Sequence, residues 1–340
     1  VKSGVTLGLG FTFALLSTPV GCNGAVPPAT CTPSPGTICG IFTAYKVPEK
    51  MPHGFNFVPS GKLMGLWFTN RTTDATSGIV NFIPAGGSKL YPTPTAGSEP
   101  GSINYASNYS LWFTESKANK VATMGPARVI TEFAVPTPRS GLFDITRGPN
   151  GNMWFTETAA GKIGTITPAG AVKEYLVGAG TEPVDIITGP DKALWFTEAG
   201  VGRIGHLTTA GTLRHFSAGS QKLSGGLTVA TDGALWFGQE SQVGRLTADG
   251  KLTEFNLPAG TYQTGAVFGG AQGGILIGVI KRDGQGGLVS VTRTGRTREY
   301  DLPQKYLLPV EMALTSEGAY WMALQSFKQG VSVQTIYQLR

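Results

Sequence analysis

From residue 40 onward the chain alternates short apolar runs with clusters of Gly, Pro and Asn, and the apolar positions follow a strand period throughout. Residues 141–177 show the unit most clearly. An apolar run, Phe143-Asp144-Ile145-Thr146, enters the turn Gly148-Pro149-Asn150-Gly151-Asn152, and Met153-Trp154-Phe155-Thr156-Glu157 follows. A small-residue turn then leads to Lys162-Ile163-Gly164-Thr165-Ile166-Thr167, and a Pro168-Ala169-Gly170 turn to Ala171-Val172-Lys173-Glu174-Tyr175-Leu176-Val177. Four strands of this kind, with no helical period between them, make one propeller blade.

All six tryptophans sit at the same place in such units: Trp67, Trp112, Trp154, Trp195, Trp236 and Trp321. The first five are spaced by 45, 42, 41 and 41 residues, and the last gap holds one further unit whose aromatic is replaced in Ile275-Leu276-Ile277-Gly278. Seven units predict an all-β, seven-bladed propeller of four-stranded blades. The fourth strand recurs six times in register, from Lys89-Leu90-Tyr91-Pro92 to Thr297-Arg298-Glu299-Tyr300. A seventh copy stands alone at residues 41–48, while residues 310–340 supply three strands. Residues 41–48 are therefore expected to add the outer strand of the last blade, closing the ring and removing a free edge. The propeller is assigned to residues 40–340, and residues 1–39 form an N-terminal extension.

That extension has its own pattern. Val5, Leu7, Leu9, Phe11, Phe13 and Leu15 alternate with small residues over 5–15. Such a period-two segment suits a strand donated to a neighbouring molecule, with the Pro/Gly/Thr-rich stretch 23–38 as linker. Head-to-tail donation does not close, so it would build a filament by self-association. The other reading is an export signal, with Lys2 as its charged start and Val5–Leu16 as its apolar stretch. The run is too short and too interrupted by glycine for a transmembrane helix. Cys31 and Cys39 bracket a seven-residue loop and are expected to form a disulfide, implying an oxidising compartment. Cys22 is left for lipidation, an intermolecular bridge or a different pairing.

Composition sharpens the compartment. Only 14% of residues are charged, and the chain is rich in Thr, Ser, Gly and Asn, which suits an extracellular or cell-surface location. The net charge of +6 comes from scattered Lys and Arg without a basic run, so no nucleic-acid partner is indicated. With 49 glycines and 22 prolines tied to repeating turns, the chain is a repeat protein and not a low-complexity one. Phosphate loops, Ser-His-Asp or Cys-His sets and HExxH-type motifs are missing from the sequence.

The string Trp-Phe-Thr-Glu, followed by Lys162-Ile163-Gly164 or Arg203-Ile204-Gly205 and later by Thr-Glu-Phe, resembles the streptogramin (virginiamycin B) lyase family over roughly residues 41–340. The resemblance implies a seven-bladed propeller. It also implies enzymes that open the lactone of a cyclic antibiotic by elimination, using a metal ion, histidines and glutamates near the central channel. Those histidines stand in Pro-His before the inner strands of neighbouring late blades. Here Pro-His-Gly survives once, at Pro52-His53-Gly54, and that blade carries Asn70 in place of the glutamate. The other blades put Gly101, Phe143, Val184, Gly225, Gly265 and Val310 at the histidine position. His206 and His215 fall in outer strands. One isolated histidine, His53, does not rebuild an elimination site, which needs a base and an electrophile.

One position further on, the column reads Gly54, Ser102, Asp144, Asp185, Gly226, Ala266 and Glu311. Asp144, Asp185 and Glu311 are the channel or ligand candidates. Two readings stay open: they bond backbone amides at the start of inner strands, or they converge on a calcium or magnesium ion. The recurring Glu115, Glu157 and Glu198 are expected to make structural hydrogen bonds, and the Trp-Phe pairs to pack blade on blade. The functional expectation is a non-catalytic extracellular binding or assembly module, a filament subunit in its sharpest form. The alternatives are a lyase-type enzyme with a site around His53 and a monomeric secreted ligand binder.

Overall fold

A computed structural model describes residues 42–46, 52–59, 61–83, 87–270, 273–302, 305–314, 320–326 and 335–339. Seven four-stranded antiparallel sheets radiate around a central axis, and each runs from an inner to an outer strand. The inner strands of blades one to seven are Pro52–Val58, Pro100–Tyr105, Leu142–Arg147, Pro183–Thr188, Leu223–Val229, Thr261–Gly269 and Leu307–Leu314. The unit that lost its tryptophan forms a complete sixth blade, with Ile275–Lys281 as its second strand. The ring closes as expected. Phe42–Lys46 pairs antiparallel with Thr335–Leu339, Phe42 opposite Leu339 and Lys46 opposite Thr335, and so becomes the outer strand of blade seven. The predicted donated strand 5–15, Cys22 and the Cys31–Cys39 pair lie outside the described residues. No helix among the described residues is long and apolar enough to cross a membrane.

The core is divided among the blade interfaces. Among the described residues there are seven apolar clusters, each shared by two neighbouring blades, the seventh and first included. Consecutive strand residues face opposite sides, which gives the Trp-Phe pair its purpose. Trp154 packs with Phe196 of the next blade, while Phe155 packs with Trp112 of the previous one. The same relation joins blade seven to blade one through Trp321 and Phe68. Within a blade the tryptophan also stacks on the outer-strand aromatic: Trp154 on Tyr175 at 5.4 Å and Trp236 on Phe255 at 5.5 Å between centroids. Burying each such ring contributes on the order of 2–3 kcal/mol.

The motif's glycine has a steric reason. Gly164 lies opposite Phe155 in the ladder, and a Cβ there would stand 2.1 Å from the phenyl ring. Gly205 and Gly244 make the same room for Phe196 and Phe237.

Candidate functional site

The channel chemistry begins with a backbone irregularity repeated in every blade. Each inner strand slips register against its second strand near its start: between Pro52 and Phe55, Pro100 and Ile103, Leu142 and Ile145, Pro183 and Ile186, Leu223 and Leu227, Thr264 and Val267, and Pro309 and Glu311. A bulge turns side chains away from the sheet faces. Both columns read from the sequence fall at it: the histidine-equivalent positions Gly101, Phe143, Val184, Gly225, Gly265 and Val310, and the column containing Asp144, Asp185 and Glu311.

Threonines of the second strands hold these bulges. Thr156 Oγ1 accepts the amide of Asp144 at 3.0 Å and donates to the Val184 carbonyl of the next blade at 2.8 Å. Thr69 and Thr114 donate likewise to Gly101 O at 2.7 Å and Phe143 O at 2.9 Å. Thr197 accepts the Asp185 amide at 3.0 Å. In blade five Gly238 replaces this threonine, and Thr264 of blade six bonds the Gln239 carbonyl at 2.9 Å instead.

Asp144 is the best-connected of the three acids. Its Oδ1 accepts from Ser102 Oγ at 2.6 Å and from the Ile145 amide at 2.7 Å, and its Oδ2 accepts the Ile186 amide at 2.8 Å. It therefore ties blades two, three and four together, which is the amide-bonding role left open above. Burial still raises its carboxyl above the usual range against those bonds. Burial, and then the charge of Asp144, pushes Asp185 up to about 8. Glu311 is raised well above the usual range by burial and then by Asp144 and Asp185, which places the three within electrostatic reach around the channel. Like charges in a sparsely solvated space cannot all ionise cheaply. Among the described residues no group of three His, Cys, Asp or Glu side chains is disposed to hold a metal ion, so the calcium or magnesium reading has no ligand set here.

His53 belongs by its backbone to the first inner strand, at the bulge, and its side chain lies outside the described residues. Asn70, in the glutamate position of that blade, donates to the Thr76 carbonyl at 2.7 Å. His206 and His215 are in the third and fourth strands of blade four, as expected, held by Asp191 at 2.8 Å and Glu198 at 2.6 Å.

The recurring glutamates only partly match expectation. Glu198 is bound by Arg203 at 2.7 Å as well as by His215. Glu115 and Glu157 are fully buried, and among the described residues no donor stands in bonding geometry to either, which corrects the expectation for those two. The nearby hydroxyls of Ser98 and Ser140 favour their charged forms without reaching bonding geometry. Burial first, and then Glu132, lifts Glu115 to about 8; burial and Glu174 lift Glu157 to about 7. Glu132 and Glu174 are themselves well satisfied, by Lys120 at 2.6 Å and Thr95, and by Lys162 at 2.8 Å and Thr137.

What the sequence reading missed is the set of cross-blade clasps, although the repeat held the signal. Ser102 and Asp144 are 42 residues apart, and so are Asp144 and Ile186. One repeat along the chain is one blade around the ring.

Comparison with known proteins follows this geometry. A sequence model of the Virginiamycin B lyase family matches residues 39–330. A streptogramin B lyase structure is 27% identical at a TM-score of 0.73, covering 88% of this chain and 97% of its own. Virginiamycin B lyase from Staphylococcus aureus is 29% identical at a TM-score of 0.76, covering 88% of this chain and 98% of its own. A catalytically inactive histidine-to-alanine variant of the S. aureus enzyme, solved with quinupristin, is 28% identical at a TM-score of 0.75. No curated protein matches. Matched by that family's model over most of its length, the chain belongs to the virginiamycin B lyase family.

Proposed function

We propose that this propeller is a non-catalytic binding and assembly module built on a lyase fold. The observation that carries the reading is the bulge column. Where the resemblance places the enzymes' histidines, six blades here carry Gly101, Phe143, Val184, Gly225, Gly265 and Val310. None of these side chains can remove a proton or bind a metal. Just beyond them stand Asp144, Asp185 and Glu311, and next to Asp144 the ring of Phe143 is 40% exposed. An acidic cluster beside an exposed aromatic ring suits a guest with a cationic group and an apolar body. The low charge content and the cysteines of the extension support an exported or cell-surface setting. The alternating segment 5–15 supports self-association by strand donation.

The competing reading is a streptogramin-lyase-type enzyme working from His53, favoured by family membership. Incubating the full chain with quinupristin and magnesium tests it. Elimination leaves the mass unchanged, so ring opening is followed by chromatographic retention. We expect no conversion above a protein-free blank; conversion abolished by His53→Ala would overturn the proposal. Particle size of the full chain against a chain lacking residues 1–39 tests the assembly part. Polymers that disappear on deletion support it, and monomers in both leave a secreted ligand binder.

A further inference from the structure

The channel has a second mouth, where the inner strands end, and its chemistry is unlike that of the first. A cavity of about 460 Å³ opens there, with walls from the inner strands of all seven blades. That volume falls within the range of small-molecule sites. Apolar lining residues come from several blades, Phe57, Ile187 and Val229 among them. Blades six and seven contribute Phe268, Met312 and Leu314, with Phe268 held edge-on against Tyr320 at 5.5 Å. Blades two and three contribute Tyr105 and Arg147, the one charged residue among the described lining residues.

Arg147 makes no ion pair with a carboxylate among the described residues. Its guanidinium stands 5.4 Å from the centre of the Tyr105 ring, which in turn stacks on Tyr109 at 6.1 Å. Its backbone carbonyl is fixed by Thr188 Oγ1 at 2.6 Å, so the strand carrying it is anchored to blade four. Two carboxylates in turns on this face are already engaged, Asp191 by His206 at 2.8 Å and Asp232 by Arg245 at 2.6 Å. The cavity thus offers a planar, fork-shaped cation backed by an aromatic ring and faced by an apolar wall. Guanidinium groups bind carboxylates in two parallel hydrogen bonds.

We propose that this second mouth binds a small carboxylate with an apolar body, its anionic end on Arg147 and its body against Phe268, Met312 and Leu314. The site is separate from the acidic layer at the first mouth and does not depend on what binds there.

The test is calorimetric titration of the full chain with naphthalene-2-carboxylate and, in parallel, with neutral naphthalene-2-carboxamide. One saturable site for the carboxylate is expected, with affinity at least tenfold weaker in Arg147→Gln and the carboxamide weak and indifferent to that change. Arg147 is exposed, so its substitution leaves the core intact, which an unchanged melting temperature verifies. Leu314→Asp, at the opposite wall, provides an independent variant that should also abolish binding. No saturable binding of the carboxylate, equal binding by Arg147→Gln, or equal affinity for acid and amide would each overturn the proposal.

Discussion

The glutamates at the ends of the second strands show how the same residue in the same repeat position can do different work. Glu198 is satisfied by Arg203 and His215, whereas Glu115 and Glu157 are buried with no donor in bonding geometry among the described residues. Their folded-state values, about 8 and about 7, lie above the ordinary 4.5. Between those limits the folded protein holds protons that the unfolded chain has released, so stability falls as pH rises from about 5 to about 8. Glu132 and Glu174 act in the other direction: bonds from Lys120 with Thr95, and from Lys162 with Thr137, outweigh burial and lower their values. Their contribution is present above the unfolded value and fades only as the pH falls below it. The two windows barely overlap, and substitution separates them. Glu115→Gln keeps the shape and removes the charge, so it should stabilise the protein by roughly 2 kcal/mol or more at pH 8.5 and change little at pH 5. Chemical denaturation at both pH values measures this. Equal effects at the two would show that Glu115 is not protonated in the fold.

At the scale of the element, the strand pattern was legible because strand periodicity and blade packing use the same residues. Trp154 and Phe155 face opposite sides, so one dipeptide fills two interfaces and stands out in the sequence. The closing strand Phe42–Lys46 was legible for a similar reason, as a fourth-strand pattern without a blade of its own. The bulges and their threonine clasps were not legible, because their partners are backbone carbonyls and amides that any residue supplies. Thr156 bonds one of each, in two blades. Thr156→Ala should leave both groups buried and unsatisfied and cost about 2–3 kcal/mol, while Thr156→Ser should recover most of it. Urea unfolding of the pair measures the difference. The closing strand makes a larger claim. Removing residues 1–39 should leave the melting temperature of the propeller unchanged. Removing residues 1–46 exposes the edge of Thr335–Leu339, and should lower the melting temperature by several degrees and promote aggregation. Equal melting temperatures for the two truncations would mean that the outer strand does not secure the ring.

Across the whole molecule the channel has polarity, with three carboxyls near the first mouth and Arg147 at the second. The sequence showed the acidic end, since Asp144 and Asp185 lie one repeat apart in an aligned column. It hid the other end, because Arg147 acquires meaning only when Tyr105 and the apolar residues of blades six and seven are brought around it. The acidic end yields a prediction that belongs to the ring as a whole, since Asp144, Asp185 and Glu311 come from the third, fourth and seventh inner strands. Burial and mutual repulsion hold Asp185 near 8 and Glu311 above the usual range, so the channel mouth carries protons at neutral pH. A cation entering it favours the ionised carboxylates and must release those protons. Phenyltrimethylammonium is the informative probe, because its charge does not titrate and any pH dependence then belongs to the protein. Its affinity should rise as pH increases from 6 to 9. Calorimetry in buffers of different ionisation enthalpy should also register proton release near neutral pH. Asp185→Asn should weaken binding and flatten the pH dependence. If the probe binds with the same affinity across that range and releases no protons, the first mouth is not where a guest is held, and Asp144 serves only to clasp the blades.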